Sequence, residues 1–499
     1  MKLAVWTVTR GAGHLGKKYG EILKADIFTL KKFQIENTLQ MEDFTSTLNE
    51  KFNKYDGHIF IMATGIVIRK IASLIKSKDV DPAVLVADEG ENFIISLLSG
   101  HLGGANELAN EAAEKLGDEK VVNATIGSLY NEEGKLVVLK SVTETYKELP
   151  PEEIAGYASA FTGSPEYKES VKRSILGDDY KEEFKNHYME VIGTPGGTGA
   201  VSNSVKNYLN EGDTLLLPKW LWSPYILMAS ERKGNCEYYT IFDENGKFDL
   251  NDFSERIFKL AEKQDNVVVI INDPCQNPTG YKLTIDEWKN VLNIFEKATE
   301  KANIILINDI AYIDFDDRNE EEKKEYRNLF KNLSSKILVI FAFSISKALT
   351  SYGLRVGAQL ALSSDKEVIN EFEKANSYSC RSTWSNISRG GMKMFSDIIL
   401  DKEKYKVLKE EREMYRLLIK ERADIFLKEA EECGLKLLPY KTGFFLTIPI
   451  GELTDKVAEV LERENIYTVV LDEGIRIAVC SVTKKKITGL AGRIKKAID

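Results

Sequence analysis

At 499 residues, with 43% hydrophobic and 29% charged side chains, the chain has a globular composition and exceeds the size of one ordinary domain. Its formal charge of −9 argues against a nucleic-acid surface and against docking on an anionic membrane. No apolar run is long enough to span a bilayer, and the N-terminus lacks the pattern of a secretion signal. The five cysteines are odd in number and scattered, which suits reduced thiols in the cytoplasm. The four histidines show no metal-ligand spacing, so no metal is expected.

In chain order, strand-sized apolar runs at 3–8, 59–63 and 83–87 alternate with helical patterns at 14–23, 66–76 and 102–116. Such alternation predicts βαβ units and a mostly parallel sheet. This block closes near Gly117-Asp118. Within it, Ser99-Gly100-His101-Leu102-Gly103-Gly104-Ala105-Asn106 leads into a helix, a geometry that can bind an anion. His101 has no visible partner base or metal ligand. A second block follows, with buried-strand runs at 214–217, 266–271, 304–308 and 338–343. A charged, amphipathic helix is expected over 401–433, then short strands at 444–448, 467–471 and 474–479.

Four segments of the second block can carry chemistry. Thr194-Pro195-Gly196-Gly197-Thr198-Gly199-Ala200 opens a helical pattern, where free amides and the helix dipole favour phosphate. Asn272-Asp273-Pro274-Cys275-Gln276-Asn277-Pro278-Thr279-Gly280 directly follows a strand. Asn308-Asp309-Ile310-Ala311-Tyr312 ends another, and a carboxylate there can keep a pyridine nitrogen protonated. Ser344-Ile345-Ser346-Lys347 ends a third, with Arg355 eight residues on. The lysine can form a Schiff base with an aldehyde, and the arginine and hydroxyls can hold a phosphate. Taken singly, each has a plainer reading as a tight turn, a helix cap or a solvated lysine.

Their joint order, with the aromatic pair Trp220 and Trp222, resembles the class I, fold-type I pyridoxal 5′-phosphate (PLP) aminotransferases of the aspartate and aromatic branch. The resemblance covers about residues 120–499 and includes Asn123-Ala124-Thr125-Ile126-Gly127. It implies an α/β protein. A small N-terminal Rossmann-like α/β domain (1–116) precedes a fold-type I PLP transferase (117–499). That transferase has a large domain with a mostly parallel central sheet at about 170–395, and a smaller α/β domain from 117–169 plus 396–499. It also implies PLP as cofactor, with Lys347 as the Schiff-base lysine and proton shuttle. Asp309 would face the pyridine nitrogen. Tyr312 and Asn277 would face the ring's phenolic oxygen. Gly197, Thr198, Gly199, Ser344 and Arg355 would cup the phosphate, and Trp222, or else Trp220, would stack on the ring. Gly127 and Arg476 would meet the substrate, Arg476 through its α-carboxylate.

Two more residues imply a homodimer with shared sites. Tyr157 resembles the tyrosine that reaches the neighbouring subunit's cofactor phosphate, although the segment at 157–163 is about one residue longer than the family pattern. Arg381 falls where aspartate aminotransferases carry the arginine for a side-chain carboxylate. Aromatic relatives can keep that arginine too. The implied reaction is transamination between an L-amino acid, aspartate or aromatic, and 2-oxoglutarate.

The first block resembles the N-terminal domain of cobalt-precorrin-5A hydrolase, on Met62-Ala63-Thr64-Gly65-Ile66-Val67-Ile68-Arg69, Asp81-Pro82-Ala83-Val84 and the run from Ser96 to Glu107. The rest of that hydrolase is not seen. This partner block opens two alternatives: a PLP-dependent threonine-phosphate decarboxylase of the cobalamin pathway, and a protein that binds a corrinoid intermediate.

Overall fold

The computed structural model describes residues 1–77, 80–89, 94–99, 104–116, 121–158 and 160–499. It divides into two compact units, Met1–Val122 and Asn123–Asp499. The expected seam at Gly117-Asp118 and residues 100–103 of the glycine-rich run lie outside the described residues.

In the first unit, strands β1 (Leu3–Thr7), β2 (Asp26–Leu30), β3 (Leu39–Met41), β4 (Gly57–Ile61), β5 (Ala83–Ala87) and β6 (Ile94–Leu98) form one sheet. The order is β3-β2-β1-β4-β5-β6, parallel except for β6. Alternation along β1 sends Leu3 and Val5 to one face and Ala4 and Trp6 to the other, so each face has its own core. On the second face, Trp6 stacks on Phe28 with ring centroids 4.3 Å apart. Trp6 also donates its indole N–H to His58 Nδ1 at 2.9 Å, and His58 Nε2 meets the Phe52 carbonyl at 2.8 Å. Burial holds this histidine down at about 4, so it stays neutral and structural. The helix expected over 66–76 stops at Ile71. Strands β2, β3 and β6 were not expected, being short or lying towards the sheet's edges, where apolar runs are weakest.

In the second unit, a sheet is built from β7 (Tyr188–Thr194), β8 (Thr214–Pro218), β9 (Asn235–Tyr239), β10 (Asn266–Asn272), β11 (Asn303–Asp309), β12 (Ile337–Ser344) and β13 (Gly357–Ser363). Its order is β9-β8-β10-β11-β12-β13-β7. Strand β13 runs antiparallel to both β12 and β7, while the other pairs are parallel. Two reversals restore direction, so β7 points the same way as β10, β11 and β12. Their last residues, Thr194, Asn272, Asp309 and Ser344, therefore reach a single edge of the sheet. Strand ends are where ligands collect in open α/β sheets.

Helix Lys402–Cys433, 32 residues long, starts on the Asp401 side chain and ends at Gly434, which has φ +69°. It leads into a second sheet, β14 (Phe445–Pro449), β15 (Val469–Leu471) and β16 (Gly474–Ala478), in the order β14-β16-β15. Arg422, wholly buried in the middle of the helix, joins the Glu132 carboxylate at 2.6 Å to the Cys480 carbonyl at 2.9 Å. Nearer the start of the helix, Glu411 accepts the Lys140 amide at 3.0 Å. No helix among the described residues is long and apolar enough to cross a membrane.

Candidate active site

A cavity of about 320 Å³ opens at the strand-end edge, and residues of all four sequence motifs line it. One end is built for an anion. Helix Gly196–Tyr208 begins there, and Gly197 and Thr198 face the cavity from its first turn. Ser344 caps the short helix Ile345–Ala348, accepting the Ser346 amide at 3.1 Å. The Arg355 guanidinium donates to the Tyr352 carbonyl at 2.8 Å and the Ser346 hydroxyl at 3.2 Å. The chain can close up here only because two glycines lack side chains. A Cβ on Gly196 would lie 2.6 Å from Arg355 Nη2, and one on Gly357 would lie 2.5 Å from both Gly196 C and the Phe343 carbonyl oxygen. Gly357 sits between Ser344 and Thr194 in the sheet register, so it sets the spacing of the anion cradle.

The other end is acidic and tightly hydrogen-bonded. Asp309, buried, accepts the Tyr225 hydroxyl at 2.6 Å and the Ala311 amide at 3.1 Å. Its backbone carbonyl accepts the Asn272 amide at 2.7 Å, and Asn272 in turn accepts the Asn277 N–H at 2.8 Å. Burial pushes the Asp309 carboxyl up, while the Tyr225 hydroxyl, the Ala311 amide and the Lys347 charge oppose that. Trp222 meets Tyr225 edge-on, with centroids 5.4 Å apart, and lines the cavity. Trp220 lies outside it and gives its carbonyl to the Gln276 side chain at 2.6 Å.

Between these ends, the Lys347 amine sits 4.8 Å from the Tyr352 ring centroid and 5.8 Å from that of Tyr312. Burial lowers it to about 8. Cys480 and Asp309 pull it up, and Arg355 and Arg476 push it down. A neutral amine is thereby available near pH 8 to take a proton.

A second cavity, about 390 Å³, shares Trp222 and Asn277 with the first and holds Arg476. Arg476 lies on β16 and stands 4.1 Å over the Phe445 ring. It donates to Asn277 Oδ1 at 3.1 Å and to the Thr125 carbonyl at 3.0 Å. Its Nε is buried without a hydrogen-bond partner, while the residue as a whole lines the cavity. Gly127 lies against the same phenyl ring, 3.4 Å from Phe445 Cζ at its would-be Cβ. The outer wall carries Ile226, Tyr238, Val469 and Leu471, with a Lys219–Glu473 ion pair of 2.8 Å.

Of the residues singled out in the sequence, Gly197, Thr198, Trp222, Asn277, Asp309, Tyr312, Ser344, Lys347 and Arg355 line the first cavity. Gly199 is buried inside the helix. Tyr157 and Arg381 line neither cavity of this chain. Tyr157 is 89% exposed, and Arg381 is exposed, donating to Ser385 Oγ at 2.8 Å. The sequence reading gave no role to Tyr225, Asn272, Ser346, Tyr352 or Ser128, all of which reach the first cavity. Asn272 and Ser346 stood in motifs already quoted, and Tyr225 stood three residues after Trp222. Ser128 and Tyr352 carried no signal.

With this geometry in hand, similarity to known proteins becomes informative. Residues 119–494 match the family model "Aminotransferase class I and II". The chain belongs to this family. A solved aminotransferase from Anaerococcus prevotii superposes with a TM-score of 0.72 at 35% identity, covering 78% of this chain and 94% of that one. Aspartate aminotransferase of Escherichia coli is 26% identical over 318 residues, 63% of this chain and 77% of its own length. The first unit is similar to something else. Residues 46–126 match the model "Cobalamin synthesis G N-terminal". Cobalt-precorrin-5A hydrolase of Salmonella typhimurium is 40% identical over 121 residues, 24% of this chain and 34% of the hydrolase. The chain therefore spans about a third of that relative.

This aminotransferase is PLP-dependent, and its residues fit the cofactor. The glycine-lined helix start with Ser344 and Arg355 suits a phosphate. The amine of Lys347 suits an aldehyde, and the Asp309 carboxylate suits a protonated pyridine nitrogen.

Proposed function

We propose that this aminotransferase exchanges the amino group of L-aspartate, or of an aromatic L-amino acid, with 2-oxoglutarate, as a homodimer that shares its active sites. The observation that carries the reading is Arg476, lining a cavity that shares Trp222 and Asn277 with the one holding Lys347. Arg476 would grip the substrate α-carboxylate in a two-pronged pair and turn its Cα towards the lysine. Bound PLP supplies an electron sink for the pair released at Cα.

The chain's own residues do the rest. The Lys347 amine, with a substantial neutral fraction at pH 8, would take the proton from the substrate Cα and carry it as the shuttle of the site. Asp309 holds a positive charge at the pyridine nitrogen, and the Tyr225 hydroxyl keeps that carboxylate ionised in its buried position. Tyr312 and Asn277 orient the ring oxygen side, while Gly197, Thr198, Ser344 and Arg355 hold the phosphate. Trp222 covers the ring and excludes water. Exposed Tyr157 and Arg381 serve the partner subunit's site, Tyr157 at the phosphate and Arg381 at a side-chain carboxylate.

For the first unit we propose a corrinoid-related binding role, supported by its 40% identity to a cobalt-precorrin-5A hydrolase. The deciding experiment follows the visible spectrum of the purified protein on adding L-aspartate, L-tyrosine or O-phospho-L-threonine. Conversion by either of the first two, reversed by 2-oxoglutarate, supports transamination. Carbon dioxide release from phosphothreonine alone would move the activity to a decarboxylase and overturn it.

A further inference from the structure

A third cavity of the aminotransferase unit, about 370 Å³, lies apart from the substrate path. It is bounded by the end of helix Pro165–Leu176, the turn Ile313–Phe315, helix Glu320–Asn328 and the early part of helix Lys402–Cys433. Its wall is strongly charged, and most charges there are matched. Arg416 pairs with Glu413 at 2.7 Å, Lys323 with Glu320 at 3.0 Å, and Arg412 with Asp314. Arg173 pairs with Glu169 at 2.9 Å and has Asp178 at 3.9 Å. Asp316 belongs to Arg318, at 2.8 Å.

After these pairings two cations remain in the wall, Arg327 and Lys409, with no carboxylate within ion-pair distance among the described residues. Two buried polar atoms are also left over. Arg412 is 8% exposed and its Nε has no hydrogen-bond partner, and neither has Ser174 Oγ. A native fold rarely leaves such donors empty-handed without a ligand or water to take them. Arg327 is further held over Gly177, where a Cβ would lie 3.2 Å from its Cζ, so the backbone has been cleared for that guanidinium.

We propose that this cavity is a binding site for a phosphate group, taken up by Arg327 and Lys409, with Arg412 and Ser174 beside them in the wall. Two guanidinium groups, an ammonium and a hydroxyl, brought to one wall by three helices, suit the charge and hydrogen-bonding demand of phosphate oxygens. Asp314 stands two residues after Tyr312, so the occupant bears on the turn that carries that tyrosine.

The test is calorimetric titration of the cofactor-loaded protein, whose own phosphate cradle is filled, with inorganic phosphate. Saturable one-to-one binding that weakens at least about tenfold in the R327M/K409M variant, and less in S174A, is the expected result. An unchanged visible spectrum and melting temperature show that both variants fold. Competition by glycerol 2-phosphate would assign the site to phosphate esters, and its failure to compete to free phosphate; each supports the proposal. No saturable binding to the wild type, or binding indifferent to both variants, overturns it.

Discussion

The Tyr225 hydroxyl donates to Asp309 Oδ2 at 2.6 Å, at the sheet edge where the carboxylate is buried. The tyrosine sits on helix Pro224–Glu231 and the aspartate on β11, so one hydrogen bond fixes the acid and ties the aromatic cover to the sheet. Tyr225→Phe removes the donor and keeps the ring. A hydrogen bond to a buried charge is worth about 1.5–3 kcal/mol, so cofactor affinity should fall roughly ten- to a hundredfold. Equilibrium dialysis of PLP against wild type and variant reads this directly. An unchanged affinity would show that the bond does not hold the carboxylate ionised.

Lys347 makes the cofactor-free protein sensitive to alkali in an unusual direction. Its folded-state value is lowered from the ordinary 10.5 to about 8 by burial. Below pH 8 both folded and unfolded chains carry the proton, and the burial penalty is fully present. Between pH 8 and 10.5 only the unfolded chain binds it, so stability rises with pH. Lys347→Met should therefore stabilise the cofactor-free protein at pH 7 by on the order of 2 kcal/mol, with the water inside the cavity reducing the full shift. It should also flatten the rise. Urea unfolding at pH 7, 9 and 10.5 measures both.

Arg476→Lys keeps the charge and loses the planar fork. The two bonds to Asn277 and the Thr125 carbonyl, with the free Nε, cannot be reproduced by an ammonium. The expected outcome is a fall in kcat/KM of about 10²-fold for amino acid and keto acid alike, carried mostly by KM. Steady-state kinetics with both substrates decides, and a loss confined to one of them would speak against α-carboxylate binding.

Arg381→Ala separates substrates. With its side chain exposed, bound to Ser385 and resting over the Phe161 ring, its loss should leave the fold intact. KM for aspartate should rise about tenfold or more, while KM for tyrosine changes little. Equal effects on both substrates would remove Arg381 from substrate recognition.

Gly357→Ala tests the cradle. The added methyl would meet two backbone groups at 2.5 Å, neither able to swing away. Overpacking of this kind costs about 1–3 kcal/mol, and here it would also push Gly196 out of place. Lower thermal stability with weakened PLP binding is expected, read by calorimetry with and without cofactor.

The sequence was legible where chemistry and strand coincided. Asp309, Ser344 and Asn272 each close a run of β-branched and aliphatic residues, so period and motif pointed to one place. Strand β13 was not legible: Gly357, Gln359 and three alanines or serines interrupt its apolar character, and only the sheet gives those small residues a purpose. Tyr352 was invisible for another reason. It gains its role by lying 4.8 Å from Lys347 across a turn, a contact that no local pattern encodes. The two residues assigned to a partner, Tyr157 and Arg381, were readable only through family resemblance, because neither lines a cavity of its own chain's site.

Buried Arg422 has a mechanical meaning. By gripping Glu132 and the Cys480 carbonyl from the middle of a helix about 48 Å long, it welds three stretches of chain that are far apart in sequence. A tilt of that helix would carry the β16 end, and with it Arg476, as one rigid arm. The arginine that meets substrate would then travel by leverage, keeping its bond to the Thr125 carbonyl and stretching the one to Asn277 on the loop after β10.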